Sequence, residues 1–171
     1  PRSTRNKTGD AEVDPLLPVV GEAMSGLVKM LRVFTRMDET ILVSGPTGAG
    51  KSRLAKWCHS NSTRGDGPFE TVDLLTIPEE MQMAELFGWK RGSFTGAVKD
   101  QEGYVTRAEG GTLFIDEIDK LSLKAQAGLL NLLETRKYRA LGDRTEHKAD
   151  LRFIVGTNAD LPQAISEGRF R

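Results

Sequence analysis

The stretch Gly45-Pro46-Thr47-Gly48-Ala49-Gly50-Lys51-Ser52 constrains this chain more than any other. It follows the apolar run Ile41-Leu42-Val43 and precedes a helical pattern that begins near Arg53. Glycines at 45, 48 and 50 open backbone turns closed to residues with a Cβ, so successive N–H groups can converge on a polyphosphate. At the spacing G-x-x-x-x-G-K-S, Lys51 reaches the β- and γ-phosphates, and Ser52 offers a hydroxyl to Mg²⁺. The next helix then turns its positive N-terminus to the anion. Residues 45–53 are therefore the candidate nucleotide site. The bland alternative is a glycine-rich turn that only joins strand to helix.

A chain of 171 residues, 38% apolar, is long enough for one domain with a substantial core. Lys plus Arg equal Asp plus Glu at 24 each, which gives neither a basic field for nucleic acid nor an acidic excess that favours disorder. Any DNA contact is expected outside this chain. The single cysteine, Cys58, cannot form an internal disulfide, and it sits within a helix pattern as a small buried side chain. No run approaches the roughly 18 apolar residues of a membrane span, and no charged-then-apolar leader opens the chain. A reducing cytoplasm fits these features. The chain starts at Pro1, which suggests a fragment of a longer protein. His59 and His147 have no second ligand at metal spacing, so neither supports a zinc site.

Residues 1–14 are polar and aperiodic, and read as a linker; residues 15–171 form the domain. Met24, Leu27, Val28, Leu31 and Phe34 recur at helical spacing from Glu22 to about Met37. Thr40 to Val43 is a short strand, and a helix starts at Lys51 or Ser52. Phe69 to Leu74 is a second strand, and Pro78 opens a helix that runs to Leu86. Residues 88–103, with four glycines, five charges, Trp89 and Phe94, form a long loop. After a short helical piece come the apolar strand Thr112 to Ile115 and a leucine-rich helix from Ala125 to Thr135. A possible strand edge at Tyr138 to Leu141, a buried strand at Leu151 to Thr157 and a short helix at Leu161 to Glu167 complete the pattern. Alternating strands and helices predict an α/β fold, a three-layer αβα sandwich around a mostly parallel sheet.

Asp116 and Glu117 stand at the C-terminal end of a buried strand, the edge where ligands bind in open α/β sheets. Beside a phosphate cradle, Asp116 would hold Mg²⁺ while Glu117 deprotonates the attacking water. The alternative is that the pair only starts a helix. Thr157 and Asn158 end another strand in groups able to bond a γ-phosphate or its water, unless they merely form a strand-end turn. Arg169 and Arg171 close the chain, where arginines are ordinarily solvated charge. Phe94 and Thr95 lie between Gly92 and Gly96, which offers an aromatic ring on a solvent-reaching tip. The alternative is that Phe94 folds back onto the domain.

These residues, with Glu85-Leu86-Phe87-Gly88, Gly92-Ser93-Phe94-Thr95-Gly96-Ala97 and Gly168-Arg169-Phe170-Arg171, resemble the AAA+ domain of bacterial sigma-54-dependent transcription activators, the enhancer-binding proteins. The resemblance runs from about Val19 to the last residue, and the loop at 92–97 is its most specific piece. It implies a P-loop NTPase that binds ATP with Mg²⁺ and assembles into a homo-oligomeric ring, commonly a hexamer. Hydrolysis would drive the loop against sigma-54 in the RNA polymerase holoenzyme and open the promoter. It also implies that Thr157 and Asn158 sense the γ-phosphate, that Arg171 reaches a neighbouring subunit's site, and that Val20 and Gly21 lie against the adenine. Arg169 occupies a variable position.

Several residues depart from the family's pattern. Ser93 replaces the usual Ala, Pro46 a common Glu, and Asp73-Leu74-Leu75 the usual Asn-Cys-Ala. An Asp at 73 facing Glu117 would repel it, which would alter the switch that the usual Asn provides and would favour a module that signals by nucleotide binding alone. A AAA+ remodeller of another target is a further alternative. The helical lid that the family carries beyond this point is absent from this chain, so the fragment by itself is expected to bind ATP weakly and hydrolyse it poorly.

Overall fold

A computed structural model describes Leu17 and residues 22–170. Four strands, β1 (Ile41–Ser44), β2 (Phe69–Asp73), β3 (Thr112–Asp116) and β6 (Arg152–Thr157), form one parallel sheet in the order β1-β6-β3-β2. Side chains alternate across a strand, so the uninterrupted apolar runs of β3 and β6 require cover on both faces. Phe114 and Ile154 point to one face, into a cluster with Val28 and Leu31 of α1 (Glu22–Phe34) and Ala55, Trp57 and Cys58 of α2 (Lys51–Ser60). Leu113, Ile115 and Phe153 point to the other face. There they meet Leu86 and Phe87 of α3 (Glu79–Phe87), Val105 of α4 (Tyr104–Arg107), and Ala125, Leu129 and Leu132 of α5 (Leu123–Thr135). The three-layer αβα sandwich follows directly. The chain continues through α6 (Leu161–Ser166).

Several boundaries differ from the sequence reading. α1 stops at Phe34 rather than near Met37. The reason is Arg152, fully buried on β6, whose guanidinium donates to the carbonyls of Phe34 (2.7 Å), Thr35 (3.3 Å) and Glu39 (3.2 Å) and so bends the chain out of the helix. β1 begins at Ile41 and, lying at the sheet edge, leaves Leu42 half exposed. α5 starts earlier than Ala125 because Ser122 caps it, its hydroxyl accepting from the Ala125 N–H at 3.3 Å.

The segment 138–141 does not join the main sheet. β4 (Lys137–Tyr138) pairs antiparallel with β5 (His147–Lys148) in a separate ribbon, and Leu141 forms an isolated bridge to Trp89. Trp89 also exchanges both backbone hydrogen bonds with Gln101, each 2.9 Å, so the loop at 88–103 is stitched at its base rather than free along its length. Among the described residues, no helix is long and apolar enough to cross a membrane. The fold is that of P-loop NTPases, with all four strand C-termini at one edge.

Candidate nucleotide site

The edge where β1, β6 and β3 end gathers the candidate residues. Ser44 lies in register with Thr157, and the next residue, Gly45, donates its N–H to the Thr157 carbonyl at 3.0 Å, so the cradle begins beside the end of β6. Gly48 and Gly50 take positive φ values of 80° and 87°, and Gly50 leads straight into α2. Gly45 does not lie in that region: a Cβ there would make ordinary contact with Ala49 at 3.6 Å, so the expected need for glycine holds at 48 and 50 only. Pro46, Thr47 and Ala49 are exposed along the loop, and Ser52 and Arg53 face solvent on the first turn of the helix.

Lys51 is buried, and its ammonium donates to the Gly45 carbonyl at 3.2 Å and to Glu117 Oε1 at 3.4 Å. Glu117, itself 4% exposed, sits in the left-handed region at φ 55°, which swings its side chain back over the sheet edge. Its second oxygen accepts from the Asn158 N–H at 3.3 Å. The Asn158 side-chain amide donates to Thr47 Oγ1 at 3.0 Å, which ties the end of β6 to the cradle. The structure thus brings Lys51, Glu117, Thr47 and Asn158 into one hydrogen-bonded group.

Asp116 Oδ1 accepts from the Glu117 N–H at 3.0 Å. A Cβ at Gly156 would lie 2.5 Å from that oxygen, so a residue without a side chain on β6 is what leaves Asp116 its place. Ser52 and Asp116 offer a hydroxyl and a carboxylate, hard oxygen donors that suit Mg²⁺. No group of three or more His, Cys, Asp or Glu residues forms a cage among the described residues. Beside the cradle, a cleft of about 250 Å³ is lined by Leu17, Met24, Leu27, Val43 and Leu54 together with Gly45, Gly50 and Lys51. Val20 and Gly21, expected at the adenine, and Arg171, expected to act across a subunit boundary, lie outside the described residues. Arg169 is exposed and pairs with Glu167.

Asp73, in register with Asp116, accepts from the Leu75 N–H at 2.9 Å through Oδ1 and caps the turn Leu74–Thr76. The Glu117 oxygens are taken by Lys51 and Asn158. One expectation is corrected: Phe94 is half-buried rather than solvent-reaching, its ring edge-on to Trp89 with centroids 5.5 Å apart. Around it, Gly92 donates to the Ala97 carbonyl at 2.8 Å and Ala97 to the Phe94 carbonyl at 3.0 Å, while Thr95 and Gly96 stay exposed. Ser93 Cβ lies against Gly142, which docks the loop on the 139–146 turn.

Three participants escaped the sequence reading. Asp119 accepts the Thr157 hydroxyl at 2.7 Å. Gln82, buried on α3, donates to the Lys120 carbonyl at 2.9 Å and accepts from the Ser122 N–H at 2.8 Å. Val98, next to the loop tip, is 79% exposed and is the apolar side chain that does reach solvent there. Asp119 alone carried a signal, an acid two residues beyond the strand-end Glu117. Burial raises its pKa, but the Lys120 ammonium and the Thr157 hydroxyl outweigh that and hold it below the usual carboxylate value.

A parallel sheet whose C-terminal edge carries a glycine cradle, a buried lysine and a strand-end Asp-Glu pair defines a P-loop NTPase of the AAA+ type. Residues 19–171 match the family described as the Sigma-54 interaction domain, and the chain belongs to that family. It is 37% identical over 173 residues to the DNA-binding transcriptional regulator NtrC of Rhizobium meliloti, covering 100% of this chain and 36% of that protein. It is 40% identical over 148 residues to the transcriptional regulatory protein GlrR of Escherichia coli, covering 86% of this chain and 33% of the relative. NtrX from Brucella abortus, solved in complex with ADP, superposes with a TM-score of 0.82 at 32% identity over 91% of this chain and 34% of that one. The P-loop NTPase domain of a sigma-54 activator from E. coli shares the fold, with a TM-score of 0.55 at 17% identity, over 86% of this chain and 84% of that one. The chain spans about a third of the length of these curated relatives.

Proposed function

We propose that this domain hydrolyses ATP within a homo-oligomeric ring and uses the cycle to drive the loop at 92–97 against sigma-54 in the RNA polymerase holoenzyme, which activates transcription. The observation that carries the reading is the convergence of Lys51, Glu117 and Asn158 on the cradle. Binding without hydrolysis needs only the cradle. A buried carboxylate held between a lysine and the N–H of Asn158 is what a hydrolase adds. The relatives that are transcriptional regulators, and the NtrX complexes with ADP and ATP, support the choice of nucleotide and of process.

In this reading the N–H groups of the cradle take the β- and γ-phosphates, whose oxygens compete with Glu117 for Lys51 and so loosen the carboxylate toward water. Glu117 accepts a proton from the water, whose oxygen attacks the γ-phosphorus as the bond to the β–γ bridging oxygen breaks and ADP leaves with that electron pair. Ser52 and Asp116 would hold Mg²⁺, which would neutralise charge on the phosphate oxygens. Asn158 reads the γ-phosphate from the turn that Thr157 shapes, and Arg171 enters a neighbouring subunit's site in trans. Phe94 and Thr95 deliver the motion to sigma-54, which requires Phe94 to leave Trp89. The site works in the cytoplasm, with DNA held by another domain.

The test is phosphate release by the full-length protein given Mg²⁺-ATP, paired with binding to purified sigma-54 in the presence of a transition-state analogue. Wild type should release phosphate, Glu117→Gln should not, and Phe94→Ala should hydrolyse ATP yet fail to bind sigma-54. Absence of phosphate release by the wild type, or sigma-54 binding indifferent to Phe94, overturns the proposal.

A further inference from the structure

We propose that Asp119 is a positioning residue for this hydrolysis: by holding the Thr157 hydroxyl, it sets the turn whose Asn158 N–H holds Glu117. The inference rests on the ATPase reading above and adds a residue to it. Thr157 is 1% exposed, and its hydroxyl has one proton, which goes to Asp119 Oδ1 at 2.7 Å. The Thr157 hydroxyl oxygen in turn accepts from the Ala159 N–H at 3.0 Å, which closes the turn after β6 on itself. Between these two bonds sits Asn158, with its N–H on Glu117 and its side-chain amide on Thr47. Thr157 therefore has no proton to give a phosphate while Asp119 accepts it. Its direct task is to shape the turn, and Asn158, bonded to Glu117 and to Thr47 of the cradle, is the residue placed to answer the nucleotide.

Asp119 is itself fixed. Its side chain is 1% exposed, with the Lys120 ammonium 2.9 Å from the second oxygen. The positive φ of Glu117 turns the chain after β3 into the short helix Ile118–Lys120, which tucks Asp119 beneath the end of β6. Gln82 bolts that short helix to α3, the helix from which the loop at 88–103 departs. Asp119 thus stands where the strand that ends at Thr157 meets the segment that carries Glu117.

The experiment compares the full-length wild type with Asp119→Ala, Asp119→Asn, Thr157→Val and the Asp119→Ala/Thr157→Val double variant. Asp119→Ala should lower kcat for ATP about tenfold or more while KM stays within about twofold. Asp119→Asn, whose amide oxygen still accepts the hydroxyl, should recover most of the loss. The double variant should be no slower than the slower single one, because both substitutions break the same link. Hydrogen exchange at the Asn158 and Ala159 amides should speed up in Asp119→Ala and in Thr157→Val. Unchanged kcat in Asp119→Ala, or additive losses in the double variant, overturns the inference. If the wild type hydrolyses no ATP, the ATPase reading fails by itself; exchange at these amides that is indifferent to Asp119 then overturns the positional claim too. If Asp119→Ala does not fold, Asp119→Asn and Thr157→Val decide it, since a turnover loss shared by both, or absent from Thr157→Val, contradicts the proposal.

Discussion

Lys51 already has two acceptors, the Gly45 carbonyl and Glu117, so a phosphate that takes the third N–H competes with the carboxylate for the charge of the ammonium. Glu117→Gln removes the competing charge. ATP should bind at least as tightly to that variant while turnover falls by about 10²–10⁴, the usual share of a general base. A titration of labelled nucleotide beside the phosphate assay checks both halves, and weaker ATP binding would contradict the competition. Gly156 makes a second residue-scale demand. A methyl group there would meet Asp116 Oδ1 at 2.5 Å and the Phe114 ring at 3.1 Å. Gly156→Ala should cost roughly 1–3 kcal/mol in stability, as overpacked sites do, and should weaken Mg²⁺-dependent turnover by displacing Asp116. Denaturant titration and a Mg²⁺ dependence of the rate measure the two effects.

At the scale of elements, the loop at 88–103 and strand β6 behave oppositely. The loop is held by backbone bonds at Trp89 and Lys90 and by Asp100, which pairs with Lys90 and takes the Arg91 N–H. Phe94, by contrast, rests on one edge-on ring pair, and aromatic pairs add only about 0.5–1.5 kcal/mol beyond their buried area. Trp89→Ala should therefore release Phe94 without unfolding the domain, and trypsin should cut faster at Arg91 and Lys99 while nucleotide affinity is unchanged. Cleavage at the wild-type rate would show that Trp89 does not hold the ring. β6, by contrast, anchors the opposite layer through Arg152. Arg152→Met leaves the carbonyls of Phe34, Thr35 and Glu39 without their donor and should destabilise the domain by about 3 kcal/mol, read from the urea midpoint. The period of α1 was plain in the sequence, but its end was not. A helix stop imposed by an arginine more than 100 residues away leaves no local mark.

For the molecule as a whole, α2 joins the chemistry to the core: Lys51 opens it, and His59, near its end, is 4% exposed with Nδ1 3.0 Å from Thr112 Oγ1. Burial holds the pKa of His59 below its usual 6.5. The folded state therefore binds fewer protons than the unfolded one just below that pH, and stability present above pH 6.5 is lost as the pH falls through the window down to the folded pKa. Urea midpoints taken between about pH 7.5 and 5.5 should fall on the acid side for wild type and fall less for His59→Gln. A parallel dependence in the two proteins would assign the effect to other groups. The Cys58 thiol, one residue earlier, is pushed up to about 11 by the same buried environment, so it should stay protonated and unreactive at neutral pH.

The ribbon strand His147–Lys148 was not legible along the chain, whereas the order of the main-sheet strands and their helices, the cradle, the Asp116-Glu117 pair and the strand-end Thr157-Asn158 were. Each is a local pattern, either a period of apolar residues or a run of types demanded by one turn. Folding decided what meets across the sequence. It put Arg152 under α1, gave the Thr157 hydroxyl to Asp119, turned the Asp73 carboxylate into its own cap, and laid Phe94 on Trp89. The distinction is physical. Periodicity and backbone sterics act between neighbours and are written in consecutive residues, whereas a buried hydrogen bond or ring contact depends on which surfaces the parallel sheet brings within a few ångströms.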